Sequence, residues 1–235
     1  MKIRLQITKD RDIRFISHLE YSRTISRAIR RAKLPAAYSE GFNPHLKFSL
    51  ASALGVGVVS YTEFVEIELA EPVEVETAAR ALSKALPRGI RVIAADAVDT
   101  HHAALMAQAA GADYRVTLPY AKDISLAVAD FNARESLLFK KAAPKKKDKV
   151  KEIDVKFYIP KLNVELKEDK TIFTFECKIT QTGSMKAVDL LNALNESYEL
   201  DLPVEMADIE RLRLYRMSKD GKRQLPMLMN DAVVL

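Results

Sequence analysis

At 235 residues, 48% of them hydrophobic and 29% charged, the chain is a globular protein with room for one large domain or two of roughly 100 to 120 residues, not a disordered polymer. Its single cysteine, Cys177, excludes an internal disulfide and every zinc or iron–sulfur arrangement that takes several thiolates from one chain. No apolar run approaches the ~20 residues of a membrane helix, so membrane spans are not expected. The net charge of +5 is concentrated: basic residues cluster at 23–33 and 140–151, while residues 63–76 and 196–210 are acidic.

The start MKIRLQITKD enters directly into alternation of Ile3, Leu5 and Ile7 against Lys2, Arg4 and Gln6, the period of a strand with one buried face. No signal-type apolar region precedes it, and a cytoplasmic protein is expected. Ser17, followed three residues on by Glu20, reads as a capping box that starts a helix running to about Lys33, where Leu34-Pro35 stops it. Tyr21, Ile25, Ala28, Ile29 and Ala32 share one face of this helix, and Arg23, Arg27, Arg30 and Arg31 share the opposite one. Turn formers Gly41, Asn43 and Pro44 then precede an extended stretch from Lys47 to Ala51 and a glycine turn at Gly55 and Gly57. TEFVEIEL reads as a strand, PVEVETAARALSKALP as a short capped helix and GIRVIAADAV as a strand, completing a β-α-β-β-α-β order.

An alanine-rich helical connector at residues 100–112 separates this half from a second. There ADYRVTLPY, SLLFKK, VKEIDVKFYIP, TIFTFECKI and IERLRLYRM read as strands, and KDISLAVADFNA and SMKAVDLLNALNES as helices. The expected fold is α+β, with two ferredoxin-like halves (1–99 and 113–235), mainly antiparallel sheets and an extra strand in the second. Strand one and the strand from Arg211 to Met217 are expected in sheet interiors. Leu212 and Leu214 alternate there against Arg211 and Arg213.

Four guanidinium groups at i, i+4, i+7 and i+8 form a ladder able to meet phosphates with forked hydrogen bonds. A solvated helix face is the competing reading, but such faces usually mix signs, and after Glu20 this helix has no acid. The segment Ser39 to Lys47 is the densest in functional side chains: Phe42 could stack a base, Asn43 hydrogen-bond, His45 act as donor or general base, and Lys47 hold a phosphate. Equally, it reads as a tight turn whose phenylalanine plugs the core. Lys145, Lys146 and Lys147 belong to a lysine-rich run that would ground on a phosphate backbone without reading bases, or simply be solvated. With the arginine helix, that run suggests a positive cleft that clamps RNA between two domains. Gly55-Val56-Gly57 lacks the length of a nucleotide fingerprint. The adjacent His101 and His102 diverge by about 100° on a helix and make no metal site; His18 reads as packed or neutral at a helix start, and Cys177 as a buried, inert thiol. No metal or cofactor is expected.

The stretch RFISHLEYSRTISRAIRRAKLPAAYSEGFNPHLKFSLASALGVGVVSYTEFVEIEL resembles the bacterial radical-SAM-associated (radical-SAM-linked) family built on a domain of unknown function, DUF2344. The motif from Tyr38 to Lys47 is its most specific element; Leu46 and Ala53 depart from it where the family commonly has proline. The similarity extends more loosely through the lysine-rich segment, Ile153-Asp154-Val155 and the Arg211-Leu212 strand. Such proteins look like partners or extensions of radical-SAM enzymes, often encoded near ribosomal-protein genes. The resemblance therefore implies an accessory or substrate-presenting role; with the two basic clusters and the Phe42 to Lys47 loop, the expectation is a protein that binds RNA, such as tRNA or rRNA, and presents it to a radical-SAM partner. Lacking a three-cysteine cluster motif, this chain is not itself the radical enzyme. The alternatives are a metal-independent RNA-processing or RNA-modifying enzyme using His45 with Lys47, and a protein-only adaptor. The tandem ferredoxin-like order is also similar to CRISPR RNA-processing endonucleases, an analogy of fold alone.

Overall fold

The computed structural model describes residues 1–99, 103–142, 150–222, 224–228 and 232–235. It is a mixed α/β structure with a large, mostly antiparallel sheet. The chain divides into two compact units, one formed by Met1–Ala110 with Arg213–Leu235 and the other by Gly111–Leu212.

In unit 1 the order is β1 (Lys2–Lys9), α1 (His18–Arg31), β2 (Phe48–Leu50), β3 (Val58–Glu68), α2 (Val75–Ala85), β4 (Val92–Val98) and α3 (Leu105–Gln108). Strand β1 is interior, antiparallel to β3 on one side and β4 on the other, and β2 pairs with the far side of β3. Ile3, Leu5 and Ile7 alternate onto one face, where they pack with Tyr21, Ile25, Ala28 and Ile29 of α1 and Ala78, Ala79 and Leu82 of α2. The Tyr21 hydroxyl donates to the Thr8 carbonyl at 2.8 Å, fixing the helix along the strand. Both halves of the capping box form at Ser17 and Glu20, and Lys33 at φ 53 closes the helix in the left-handed region.

The other face of β1 is not a solvent face, contrary to the reading of strand one as half-buried. Arg4 is only 4% exposed; its guanidinium donates to Glu66 at 2.8 and 3.2 Å, to the Met227 carbonyl at 2.8 Å and to Gln108 at 3.1 Å. Lys9 is fully buried, and its ammonium donates to the carbonyls of Arg14, Ile16 and Gly55 at 2.8, 3.0 and 3.3 Å. That ammonium has three donors and no acceptor, so it ties the turn leading into α1 to the Gly55 turn. The acidic stretch at 63–76 is likewise used inside the unit. Ser60 donates to the buried Glu63 at 2.6 Å, Glu66 holds Arg4 and Lys2, and Glu68 holds Lys47.

Unit 2 contains β5 (Gly111–Leu118), α4 (Ser125–Ala133), β6 (Leu138–Ala142), β7 (Val150–Asp154), α5 (Val155–Tyr158), β8 (Leu162–Lys167), β9 (Lys170–Thr180), β10 (Gly183–Ser184) and α6 (Ala187–Tyr198). Strand β9 lies between β5 and β8, antiparallel to both, and β6 and β7 form a separate hairpin. The expected strand VKEIDVKFYIP stops at Asp154, whose carboxylate accepts from the Lys156 and Leu137 amides and starts α5. Among the described residues the connector's helix covers Leu105–Gln108, and it runs no further because Gly111 and Ala112 already pair with β9. Strand β11 (Asp208–Met217) begins in unit 2 and ends in unit 1. Contrary to the simple alternation, Arg211 is buried beside Leu212: its Nε donates to the Tyr114 hydroxyl at 3.0 Å and its guanidinium lies over that ring. In unit 1, β12 (Gln224–Pro226) pairs with β11 and β13 (Val233–Val234) with β4. Among the described residues no helix is long and apolar enough to cross a membrane.

Candidate nucleic-acid interface

Helix α1 presents its basic stripe because the opposite stripe is what packs on the sheet. Arg23, Arg27, Arg30 and Arg31 are all exposed, and among the described residues none of them lies in an ion pair. The helix's acid, Glu20, is occupied by its cap: the Ser17 amide and hydroxyl donate to its carboxylate, both at 3.0 Å. The Ser17 backbone amide first, then the hydroxyl, hold that carboxyl below the usual glutamate range. Arg31 differs from the other three in donating to the Ala85 carbonyl at the end of α2, at 2.7 Å. Arg23, Arg27 and Arg30 thus form the free stripe, rising about 10 Å along the helix at 1.5 Å per residue. Nearby cations elsewhere are used differently, with Arg80 paired to Glu76, Arg88 to Asp12 and Arg91 to Asp10.

Five residues after Arg31 the chain reaches Ala36, a span of at most about 17 Å, and there begins a hairpin-like loop. Ala36 bridges to Leu69 and Tyr38 to Leu46. The Ala37 amide donates to the Glu68 carbonyl and the Lys47 amide to the Ala37 carbonyl, both at 2.8 Å. Leu46, the departure from the family's proline, is buried and anchors the loop in the core of unit 1. At the tip the Ser39 amide donates to the His45 carbonyl at 2.8 Å, and the His45 amide returns to the Ser39 hydroxyl at 3.1 Å. Gly41 turns at φ 110, a conformation that a side chain disfavours.

Phe42 does not plug the core; it is the most exposed large apolar side chain in the described residues. Asn43 and His45 are exposed beside it. His45 Nδ1 lies 3.1 Å from both the Ser39 hydroxyl and the Asn43 carbonyl. A carbonyl only accepts, so the tautomer that makes this bond carries its proton on Nδ1 and leaves the lone pair on Nε2. Lys47 is paired with Glu68 at 3.1 Å. Ser39, Asn43 and His45 are therefore one hydrogen-bonded group, whereas Lys47 is tied to β3.

Sequence reasoning missed Phe15, exposed with the Arg14 guanidinium 4.8 Å from its ring centre, and Tyr38, half exposed at the base of the loop. The Arg-Phe pair before Ser17 was the available signal for the first. Lys145, Lys146, Lys147, His101 and His102 lie outside the described residues. Of the run's flanks, Lys140 is exposed on β6 and Lys141 is held by Asp189 at 2.6 and 2.7 Å. Cys177 is buried against the Met185 carbonyl, and burial pushes its thiol up to about 11.

No curated protein matches the chain. Among solved structures it is similar to a chain of a Cbf5-Nop10-Gar1 complex, at 10% identity and a TM-score of 0.47, over 94% of this chain and 60% of that one. This chain thus spans about 60% of the length of that structure's chain. It is also similar to an unknown protein from Galdieria sulphuraria, at 13% identity and a TM-score of 0.25, over 89% and 97% of the two chains. Neither likeness carries an argument about site or activity. A family model described as an uncharacterised protein conserved in bacteria (DUF2344) matches residues 2–189, and the chain belongs to that family.

Proposed function

We propose that this protein is an RNA-binding accessory factor, holding RNA such as tRNA or rRNA on the arginine stripe of α1 and presenting it to a partner enzyme of the radical-SAM class. The observation that carries the reading is the contrast within unit 1. Among the described residues Arg23, Arg27 and Arg30 stand exposed and outside any ion pair, the one acid near Arg23, Glu20, being held by its cap, while Arg80, Arg88 and Arg91 are each neutralised. Like charges on successive turns repel unless an anion joins them, and Arg is the side chain best matched to a phosphate. The choice of a radical-SAM partner rests on the family resemblance. Each half is read as ferredoxin-like: the order β4-β1-β3-β2 in the first supports this, as does β5-β9-β8 with α4 and α6 in the second.

A titration of RNA binding across salt tests the reading. Each phosphate contact contributes about 0.7 to 0.9 to the slope of log affinity against log salt. Replacing Arg23, Arg27 and Arg30 by Ala should therefore lower that slope by roughly 2 to 3. Arg31 is left intact because it also supports α2. Absence of RNA binding at low salt would remove the proposal in favour of a protein-only adaptor, which co-purification of a protein partner without RNA would identify.

A second reading, an RNA-processing or RNA-modifying enzyme, is favoured by the fixed imidazole of His45, whose Nε2 lone pair is the one a general base would use. Lys47, engaged by Glu68, would have to leave that pair to steady a developing charge. Activity on total RNA that His45→Ala abolishes would establish it; activity untouched by that change would dismiss it.

A further inference from the structure

We infer that the RNA is unpaired where it meets the loop, with one base stacked on Phe42 and its edge met by Asn43 and His45. This rests on the RNA-binding reading and narrows it to single-stranded or looped RNA.

Phe42 has no hydrogen-bonding atom, so the only part of a nucleic acid it can engage well is the face of a base. In a duplex those faces are covered by neighbouring pairs, and the deep, narrow major groove of A-form RNA keeps side chains out. A phenylalanine at the tip of an RNA-binding loop is thus useful only where a base is unstacked. The tip is also braced. The Ser39 to His45 backbone pair, the Ser39 hydroxyl on the His45 amide and the Nδ1 contact to the Asn43 carbonyl close it below Phe42, so the ring is displayed at little cost in ordering on binding.

The surroundings favour a base over a protein pocket as the occupant. An apolar anchor for a protein is commonly ringed by other apolar side chains that exclude water. Here the residues that flank it along the chain, Glu40, Gly41, Asn43, Pro44 and His45, are all exposed, and the next large aliphatic residue in the sequence, Leu46, is turned into the core. The Asn43 carboxamide and the His45 Nε2 together supply donors and acceptors of the kind that pair with a base edge. From Ser39 to His45 the tip carries one acid, Glu40, and no lysine or arginine, so it contributes no Lys or Arg charge to neutralise a phosphate. The division of labour is then definite, with charge on α1 and base contact on the loop, and the two should respond differently to salt.

The test compares a short single-stranded RNA with the same sequence annealed to its complement, each titrated over salt by fluorescence anisotropy against wild type, Phe42→Ala and the Arg23/Arg27/Arg30→Ala protein. Base stacking on an aromatic is worth about 1–3 kcal/mol, or roughly 5- to 150-fold in affinity. Phe42→Ala should weaken single-strand binding by that factor with the salt slope unchanged, and leave duplex binding as it was. Ultraviolet crosslinking of a 5-iodouridine single strand should map to Phe42. Because Phe42 is outside the core, its replacement does not threaten the fold. If both RNAs bind alike, Phe42→Ala changes neither and the crosslink lies elsewhere, this inference fails while RNA binding stands, and the ring belongs to a protein contact. If the arginine variant and wild type bind no RNA even at low salt, the RNA-binding reading fails with it.

Discussion

Replacing Lys9 by Met should cost about 3 kcal/mol of stability, although the residue belongs to no proposed contact surface. Three hydrogen bonds to an ammonium would total about 4.5 to 9 kcal/mol at 1.5–3 each, and keeping that charge out of water offsets several of these. Methionine fills much the same space, so the cavity term is small. What it leaves are the carbonyls of Arg14, Ile16 and Gly55, which lose a donor at 2.8, 3.0 and 3.3 Å respectively. Urea denaturation gives the global loss. Hydrogen exchange gives its location, because the Gly57 amide, bonded to the Arg14 carbonyl at 2.8 Å, should lose protection before amides in β1. Lys9→Arg should not rescue, since a planar fork cannot reach three carbonyls that a tetrahedral ammonium serves. A loss below about 1 kcal/mol with Gly57 protection unchanged would refute the reasoning, showing that water replaces the ammonium freely.

Ser17→Ala removes the hydroxyl that donates to the Glu20 carboxylate and accepts from the Glu20 amide, leaves the Ser17 backbone amide on that carboxylate, and should cost about 1 kcal/mol, read as a lower thermal midpoint. Because the folded-state pKa of Glu20 is depressed, the cap's contribution is complete above the ordinary glutamate value and fades as pH falls through the folded one; the Ser17→Ala deficit should shrink in acid, and a deficit independent of pH would contradict this. Cys177, with its thiol pushed up to about 11, should resist a thiol reagent at pH 8 until the protein is unfolded; prompt labelling of native protein would show that its strand opens. Lys141→Ala leaves the nearly buried Asp189 without the ammonium that holds it at 2.6 Å, and should destabilise the hairpin by about 1–3 kcal/mol, seen as faster exchange of the amides from Val150 to Asp154; unchanged exchange would mean that the core side chains Leu137 and Phe139 hold it alone.

The helix carrying the arginine stripe was legible in sequence to within a residue or two. Everything that defines it acts within about four residues: the Ser17 and Glu20 cap, the apolar spacing from Tyr21 to Ile29, and the stop before Pro35. The same spacing that buries Tyr21 and Ile25 sends Arg23 and Arg27 outward, so their exposure was legible too. The Tyr38 to Lys47 loop was legible as a concentration of side chains, but not as a site or a turn. Whether Phe42 points in or out depends on the ladder that hangs the loop from Glu68 and on Leu46 taking the core position.

Alternation along β1 showed which side chains share a face; it carried no information about what covers the second face. Arg4 is buried by Glu66, 62 residues away, and by Met227, 223 residues away, and Lys9 by carbonyls of two turns. Arg211 enters the interior because the Tyr114 hydroxyl, 97 residues distant, accepts from it. A charged side chain is buried only where distant partners replace its water. The amphipathic helix and the basic stripe therefore came from the sequence by itself, through contacts made within a turn or two, while tertiary structure alone decided which charges are satisfied inside and which remain for a partner.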